Sequence, residues 1–216
     1  MSDYQVNASG YEGYAALVSE LGGDPGALLR QAGVDPAWLE NPEHPTPYLA
    51  FLTALRLGAQ ATATPHFGLL LSRKQRFSML GAVGFAMREA PNILAAIENL
   101  NRFLPVHNQA ARTALVVDGD FARWTFDVIL RDGPALDQQF DLVVGIGLSL
   151  LQHLAGQGWA PSSVHLKRAE PADTRPYRQL FQCPISFNAD FTGLVFHRKV
   201  LSQPVVNADQ QLFRIL

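Results

Sequence analysis

Residues 135–155 are apolar nearly all round: Phe140, Leu142, Val143, Val144, Ile146, Leu148, Leu150, Leu151 and Leu154 leave no consistently polar face. A helix of that kind is buried on most of its sides, so the chain must supply packing layers around it. The apolar core of the run, residues 142–151, is too short to span a bilayer. The segment before it supplies one layer. In residues 121–130, Trp124, Phe126, Val128 and Leu130 point to one face, and Arg123, Thr125, Asp127 and Ile129 to the other. Gly119-Asp120 turns this strand back onto residues 112–118, which predicts a hairpin. Its aromatic face is a core or a pocket wall, and the long helix is its cover.

Residues 159–206 read as strand, short helix, strand, turn and strand. Strands are expected over 163–166, 184–187 and 193–196, and a helical turn over 176–181 carries Tyr177, Leu180 and Phe181. Asn188-Ala189-Asp190 is the turn between the last two strands.

The N-terminal third is helical. Residues 1–10 are expected to be a flexible tail. Tyr14, Leu17, Val18 and Leu21 share one helical face. Asp24-Pro25, Asp35-Pro36, Thr46-Pro47 and Thr64-Pro65 each read as a helix start. Short helices with tight turns invite a helix-turn-helix reading. The candidate recognition helix, residues 48–62, offers only Arg56 as a cation, which argues against a groove-reading role.

Several residues are candidate ligand contacts. Ser72-Arg73-Lys74-Gln75-Arg76 is the one basic cluster; Arg73 and Arg76 could hold an anion, or the cluster is a solvated helix end. Residues 79–88 are expected to form one helix with Gly81 and Gly84 on one face, for close packing or ligand room. In residues 93–104, Leu94, Ile97, Leu100 and Leu104 form a buried stripe. His107 and Asn108 follow, where a helix hands over to a sheet; they line a pocket or satisfy backbone groups. Phe77, Phe85, Trp124 and Phe126 are apolar candidates. Asp141, an acid followed at once by an apolar run, either faces a ligand amine or lies at the surface.

Other chemistry finds no support. Net charge is −2, without the basic surplus of a stand-alone DNA-binding domain. Cys183 is the only cysteine, so no internal disulfide forms; this fits a reducing compartment. Followed by Pro184, it reads as a buried filler and not a nucleophile. The six histidines are scattered, without HxxxH or HExxH spacing. There is no GxSxG or P-loop, and Gly145-x-Gly147 lacks the third glycine and the preceding strand of a dinucleotide fingerprint. No catalytic residue, metal ligand or cofactor is expected, and no signal peptide opens the chain.

The order W-x-P (159–161), P-A-D (171–173), Y-R-x-L-F-x-C-P-I-x-F (177–187), G-L-V-F (193–196) and L-S-x-P (201–204) resembles the N-terminal effector domain of one branch of AraC-family transcriptional regulators, often described as arabinose-binding-like. The opening L-L-R-Q-A-G-V-D-P (28–36), P-H-F-G-L (65–69) and F-L-P-V-H-N (103–108) are similar to the same family, so the resemblance covers residues 20–206. It implies a bacterial, cytoplasmic effector-sensing domain that forms a homodimer. Promoter DNA would be contacted only through a C-terminal helix-turn-helix domain. Residues 207–216 are then the start of a linker helix toward that domain.

The expected fold is α+β: an N-terminal helical subdomain (11–76), then a mostly antiparallel sheet covered by a long helix (77–206). Ferredoxin-like and tandem βαββ arrangements are the alternatives. The expected function is binding of a small-molecule effector, first an apolar or amphipathic metabolite, second a basic amino acid at Asp141 or a cyclic dinucleotide at Arg73 and Arg76. The alternatives are a ligand-free dimerisation or protein-interaction module and an unrelated enzyme. No membrane partner is expected.

Overall fold

The computed structural model describes residues 4–130 and 136–206. The chain opens with strand β1 (Gln5–Asn7) and a 3-10 turn (Ala8–Tyr11), then helices α1 (Tyr14–Glu20) and α2 (Pro25–Gln31). A 3-10 turn (Pro36–Glu40) leads to β2 (Pro45–Pro47), α3 (Tyr48–Ala61) and α4 (Phe67–Ser72). After a 3-10 turn (Phe77–Leu80) come α5 (Ala82–Arg88), α6 (Ile93–His107) and the hairpin β3 (Ala111–Asp118) and β4 (Phe121–Val128). The remaining elements are α7 (Asp137–Ala155), β5 (Ser163–His165), α8 (Arg175–Phe181), β6 (Ile185–Ser186), β7 (Thr192–His197) and a 3-10 turn (Arg198–Ser202).

Local chemistry accounts for several of these boundaries. Asp24 Oδ1 accepts from Ala27 N and Asp35 Oδ1 from Ala37 N, each with proline at the next position. Asn92 caps α6 by accepting from Ala95 N. The β3–β4 turn places Gly119 at φ +54, as a two-residue hairpin with glycine at its first central position requires.

Four expectations are corrected. Residues 5–10 are not a tail: β1 pairs antiparallel with β2, and Val6 and Ala8 are buried. Thr46 does not cap α3; it lies in β2 and its hydroxyl donates to the Val6 carbonyl. Residues 79–88 are not one helix, because Gly81 (φ +56) separates a 3-10 turn from α5. In α6 the buried stripe runs through Ile93, Ala96, Ile97, Leu100 and Leu104, while Leu94 is turned to solvent. Residues 207–216, read as a linker helix, and residues 1–3 lie outside the described residues.

The five-stranded sheet has the order β3-β4-β7-β5-β6 and is antiparallel except between β5 and β6. The α+β reading is thus borne out. Two apolar cores flank α7. Phe140, Val144, Leu148 and Leu151 join the sheet core around Trp124, Phe126, Leu194 and Phe196. Leu142 joins the helical core of Tyr14, Phe51, Leu55 and Phe67. This two-sided packing is what the all-round apolar sequence encodes. Glycines set the approach of α4 to α7: a Cβ on Gly68 would lie 2.0 Å from the Gln138 carbonyl oxygen, and one on Gly145 would lie 2.0 Å from Ser72 Oγ.

Candidate effector site between two cores

A cavity of ≈ 80 Å³ sits where the two cores meet. Four segments build it. One face of α7 contributes Gln139, Val143, Ile146 and Leu150 at helical spacing. The end of α6 contributes Leu104 and His107, the hairpin Thr113 and Phe126, and the segment after α4 contributes Gln75, Met79 and Leu80. Val6 and Phe51 close it from the helical core. At roughly 30 Å³ per water in the liquid, the space is on the order of two or three water-sized groups.

Three polar side chains in this mostly apolar wall stand out. Gln139 is 3% exposed, and no described residue hydrogen-bonds to its side chain; its Oε1 is fully buried without a partner. His107 is 6% exposed, and burial pushes its imidazole down to about 4, so the ring is neutral near pH 7. No described residue hydrogen-bonds to the ring. Gln75 donates through Nε2 to the Gly10 carbonyl, while its Oε1 is buried and unpartnered. Buried polar groups are ordinarily satisfied, and each one that is not costs about 1–3 kcal/mol. Asn108 differs. Its Oδ1 accepts from Ala110 N and Ala111 N, so it launches β3 and serves the backbone while also lining the cavity.

The other expected contacts are dispersed. Phe77 and Phe85 line a separate, wider cleft of ≈ 590 Å³, together with Arg76, Arg88 and His153. The Phe77 and His153 rings stack there at 4.5 Å. Residues 75–80 divide this cleft from the buried cavity. Arg73 is exposed at the end of α4 and lines neither space. Two cations of the basic cluster are engaged within the fold, Lys74 with Glu20 and Arg76 with Glu12. Trp124 is fully buried against Phe126, at 4.8 Å between centroids, and lines neither space.

Asp141 is not at the surface. It is fully buried, and its Oδ2 accepts from the Tyr177 hydroxyl and from Arg168 Nη1. Burial pushes the carboxyl up, to about 7, against the pull of Arg168 and Tyr177. Arg168 also donates to the Tyr177 hydroxyl and the Pro65 carbonyl, so the cluster ties α7, α8 and the α3–α4 loop together. Asp141 lines neither the cavity nor the cleft. Burial pushes the Cys183 thiol up to about 11, which keeps it protonated and poorly nucleophilic. Among the described residues, no three His, Cys, Asp or Glu side chains are grouped to hold a metal, and no helix is long and apolar enough to cross a membrane.

The site residues missed by sequence reasoning are Gln75 and Gln139. Gln139 had a signal: it shares a 3.6-residue stripe with Val143, Ile146 and Leu150. Gln75 had none, being one polar residue among cations.

Known proteins place this architecture. The chain is 27% identical over 215 residues to the HTH-type transcriptional regulator VirS of Mycobacterium tuberculosis, covering 97% of this chain and 62% of that protein. It is 26% identical over 194 residues to the ornithine utilization regulator of Pseudomonas aeruginosa, covering 89% of this chain and 57% of that protein. The crystal structure of the transcriptional regulator CdpR from Pseudomonas aeruginosa superposes with a TM-score of 0.62 at 16% identity, over 88% of this chain and 58% of that one, a likeness of fold. The chain therefore spans about 60% of the length of these regulators. The family described as the arabinose-binding domain of AraC transcription regulators, N-terminal, matches residues 22–205, and the chain belongs to it.

Proposed function

We propose that this chain is the ligand-sensing and self-associating part of an AraC-type transcription regulator, and that its effector binds in the cavity between the two cores. The observation that carries this reading is Gln139, whose Oε1 is buried in an apolar wall without a partner, beside the buried ring of His107. A fold that leaves such groups unsatisfied gains when a ligand supplies the missing hydrogen bonds.

The ligand class follows from the wall. The buried part of the cavity holds amides and a neutral imidazole and no buried charge, so a bare ion there would go uncompensated. The effector is a small amphipathic molecule that seats an apolar body against Phe126, Met79 and Leu150. An uncharged hydroxyl or amide meets the polar side chains. Such a ligand would favour one relative arrangement of the cores by binding it better than the other. Promoter DNA would be contacted by other parts of the full-length regulator, which would act in the bacterial cytoplasm. Binding, not catalysis, is the role.

The wider cleft is the weaker candidate for an anion, because Arg76 and Arg88 already pair with Glu12 and Glu89. The test is a thermal-shift screen of neutral amphipathic metabolites on the wild type, Gln139→Leu and His107→Phe. A hit that shifts the wild type and neither variant supports the site. A hit that shifts all three equally places the effector elsewhere.

A further inference from the structure

We infer that β3 is the seam of a two-fold dimer, pairing antiparallel with β3 of a second copy about Leu115. The inference rests on the self-association proposed above and names its surface.

Strand β3 is the long free edge of the sheet: its inner side pairs with β4, and no described residue pairs with its outer side. The opposite edge, β6, has two residues. The parity of the ladder fixes which backbone groups are available. The hairpin closes on Asp118 and Phe121, and Ile129 N donates to the Ala110 carbonyl, so even-numbered residues of β3 bond to β4. The N–H and C=O groups of Thr113, Leu115 and Val117 therefore point outward.

A two-fold axis at Leu115 uses that set. Leu115 faces its own copy as a hydrogen-bonded pair, and Thr113 faces Val117, twice over. On the outer face of the sheet, Ala114 meets Val116 and Arg112 meets Asp118. The sequence Ala-Arg-Thr-Ala-Leu-Val-Val-Asp is thus complementary to itself in charge at this register. Neither Arg112 nor Asp118 forms an ion pair among the described residues; Arg112 Nη1 donates to the Gln109 and Ala111 carbonyls and its charge has no acidic partner there. Asp127, across β4 from Arg112, pairs instead with Lys167. Val116 and Val117 are 45% and 47% exposed, apolar area that pairing would cover. An uncovered edge of this kind is an aggregation hazard unless something occupies it. A second copy satisfies the edge and closes the assembly at two. The same strand lines the effector cavity through Ala111, Arg112 and Thr113, so ligand and partner meet on one element.

The test is a charge-reversal exchange read by analytical ultracentrifugation and native mass spectrometry. Asp118→Arg alone sets two guanidinium groups against each other at both ends of the seam. Arg112→Glu alone does the same with two carboxylates. Each is expected to weaken the dimer tenfold or more. An equimolar mixture of the two variants sets opposite charges against each other at both ends of the seam, and should give a 1:1 heterodimer. Val117→Pro costs the hairpin no hydrogen bond but removes two across the seam, and should also dissociate the dimer. Circular dichroism checks that each variant is folded. A wild type that stays monomeric overturns this inference together with the self-association reading. A wild-type dimer that survives all three substitutions overturns only the β3 seam, as does a mixture that stays monomeric.

Discussion

The Tyr177 hydroxyl donates a 2.6 Å hydrogen bond to Asp141 Oδ2 in the interior, and the same carboxylate oxygen receives Arg168 Nη1. One α7 acid thus anchors α8 and the loop after β5. Breaking a buried ion pair from one side leaves an uncompensated charge, at a cost of about 3–5 kcal/mol. Arg168→Met should therefore destabilise strongly, and by more than Tyr177→Phe, which removes the hydroxyl that donates to Asp141 and accepts from Arg168 but leaves the ion pair in place. The double variant Asp141→Leu/Arg168→Met should be more stable than Arg168→Met alone. Urea denaturation of these proteins, with Asp141→Leu completing the cycle, measures this. Additive losses would mean that the pair does not act as a unit.

Gly68 faces the backbone of α7, where an added Cβ would lie 2.0 Å from the Gln138 carbonyl oxygen. Backbone cannot swing aside as a side chain can. Gly68→Ala should cost at least about 2 kcal/mol, although alanine is the better helix former. Gly81→Ala meets open space and disturbs only the +56° backbone angle, so its cost should be smaller. Melting temperatures of the two variants decide the order.

The fold was legible wherever one residue type has one local use. Paired Asp-Pro signals marked α2 and the turn after it, alternation marked β4, and the all-apolar run marked α7. The site was less legible because it depends on which polar residue lacks a partner. His107 and Phe126 could be suspected, and they do share the cavity. Asp141 and Trp124 looked like contacts for the same local reasons, but Arg168, Tyr177 and Leu194 arrive from distant sequence and engage or bury them. Phe77 and Phe85 are set apart from Phe126 by the chain between Gln75 and Leu80, a division no periodicity reveals.

Trp124 belongs to the core, so Trp124→Ala should unfold or strongly destabilise the domain, by about 3–5 kcal/mol, and not merely silence a ligand response. Near-ultraviolet circular dichroism and denaturation separate these outcomes. A well-folded variant of near wild-type stability that ignores the effector would return Trp124 to the site.

His107 should make stability depend on pH. Its folded-state pKa, about 4, is depressed below the ordinary value of roughly 6.5, so the unfolded chain binds the proton more readily. The contribution is fully present above about pH 6.5 and is lost as pH falls toward 4, by up to about 3 kcal/mol. Asp141 acts with the opposite sign: its raised pKa favours the folded state as pH falls from about 7. The effect of His107 is therefore read as a difference between the wild type and His107→Phe. That difference should change steadily, to the disadvantage of the wild type, as the protein is titrated from pH 7.5 down to pH 4.5. A difference constant with pH would refute a buried neutral imidazole.

Gln139→Leu should separate stability from function. It replaces a buried amide without partners by an apolar side chain of similar length on the cavity-facing stripe of α7. The ligand-free protein should become more stable, by about 1 kcal/mol, because an unsatisfied polar group leaves the interior. The same variant should lose the stabilisation that the wild type gains from saturating effector, which grows as RT ln(1 + [L]/Kd). Denaturation with and without ligand tests both halves. If Gln139→Leu instead destabilises the free protein, the amide already has a partner such as an ordered water, and the case for it as a ligand group falls.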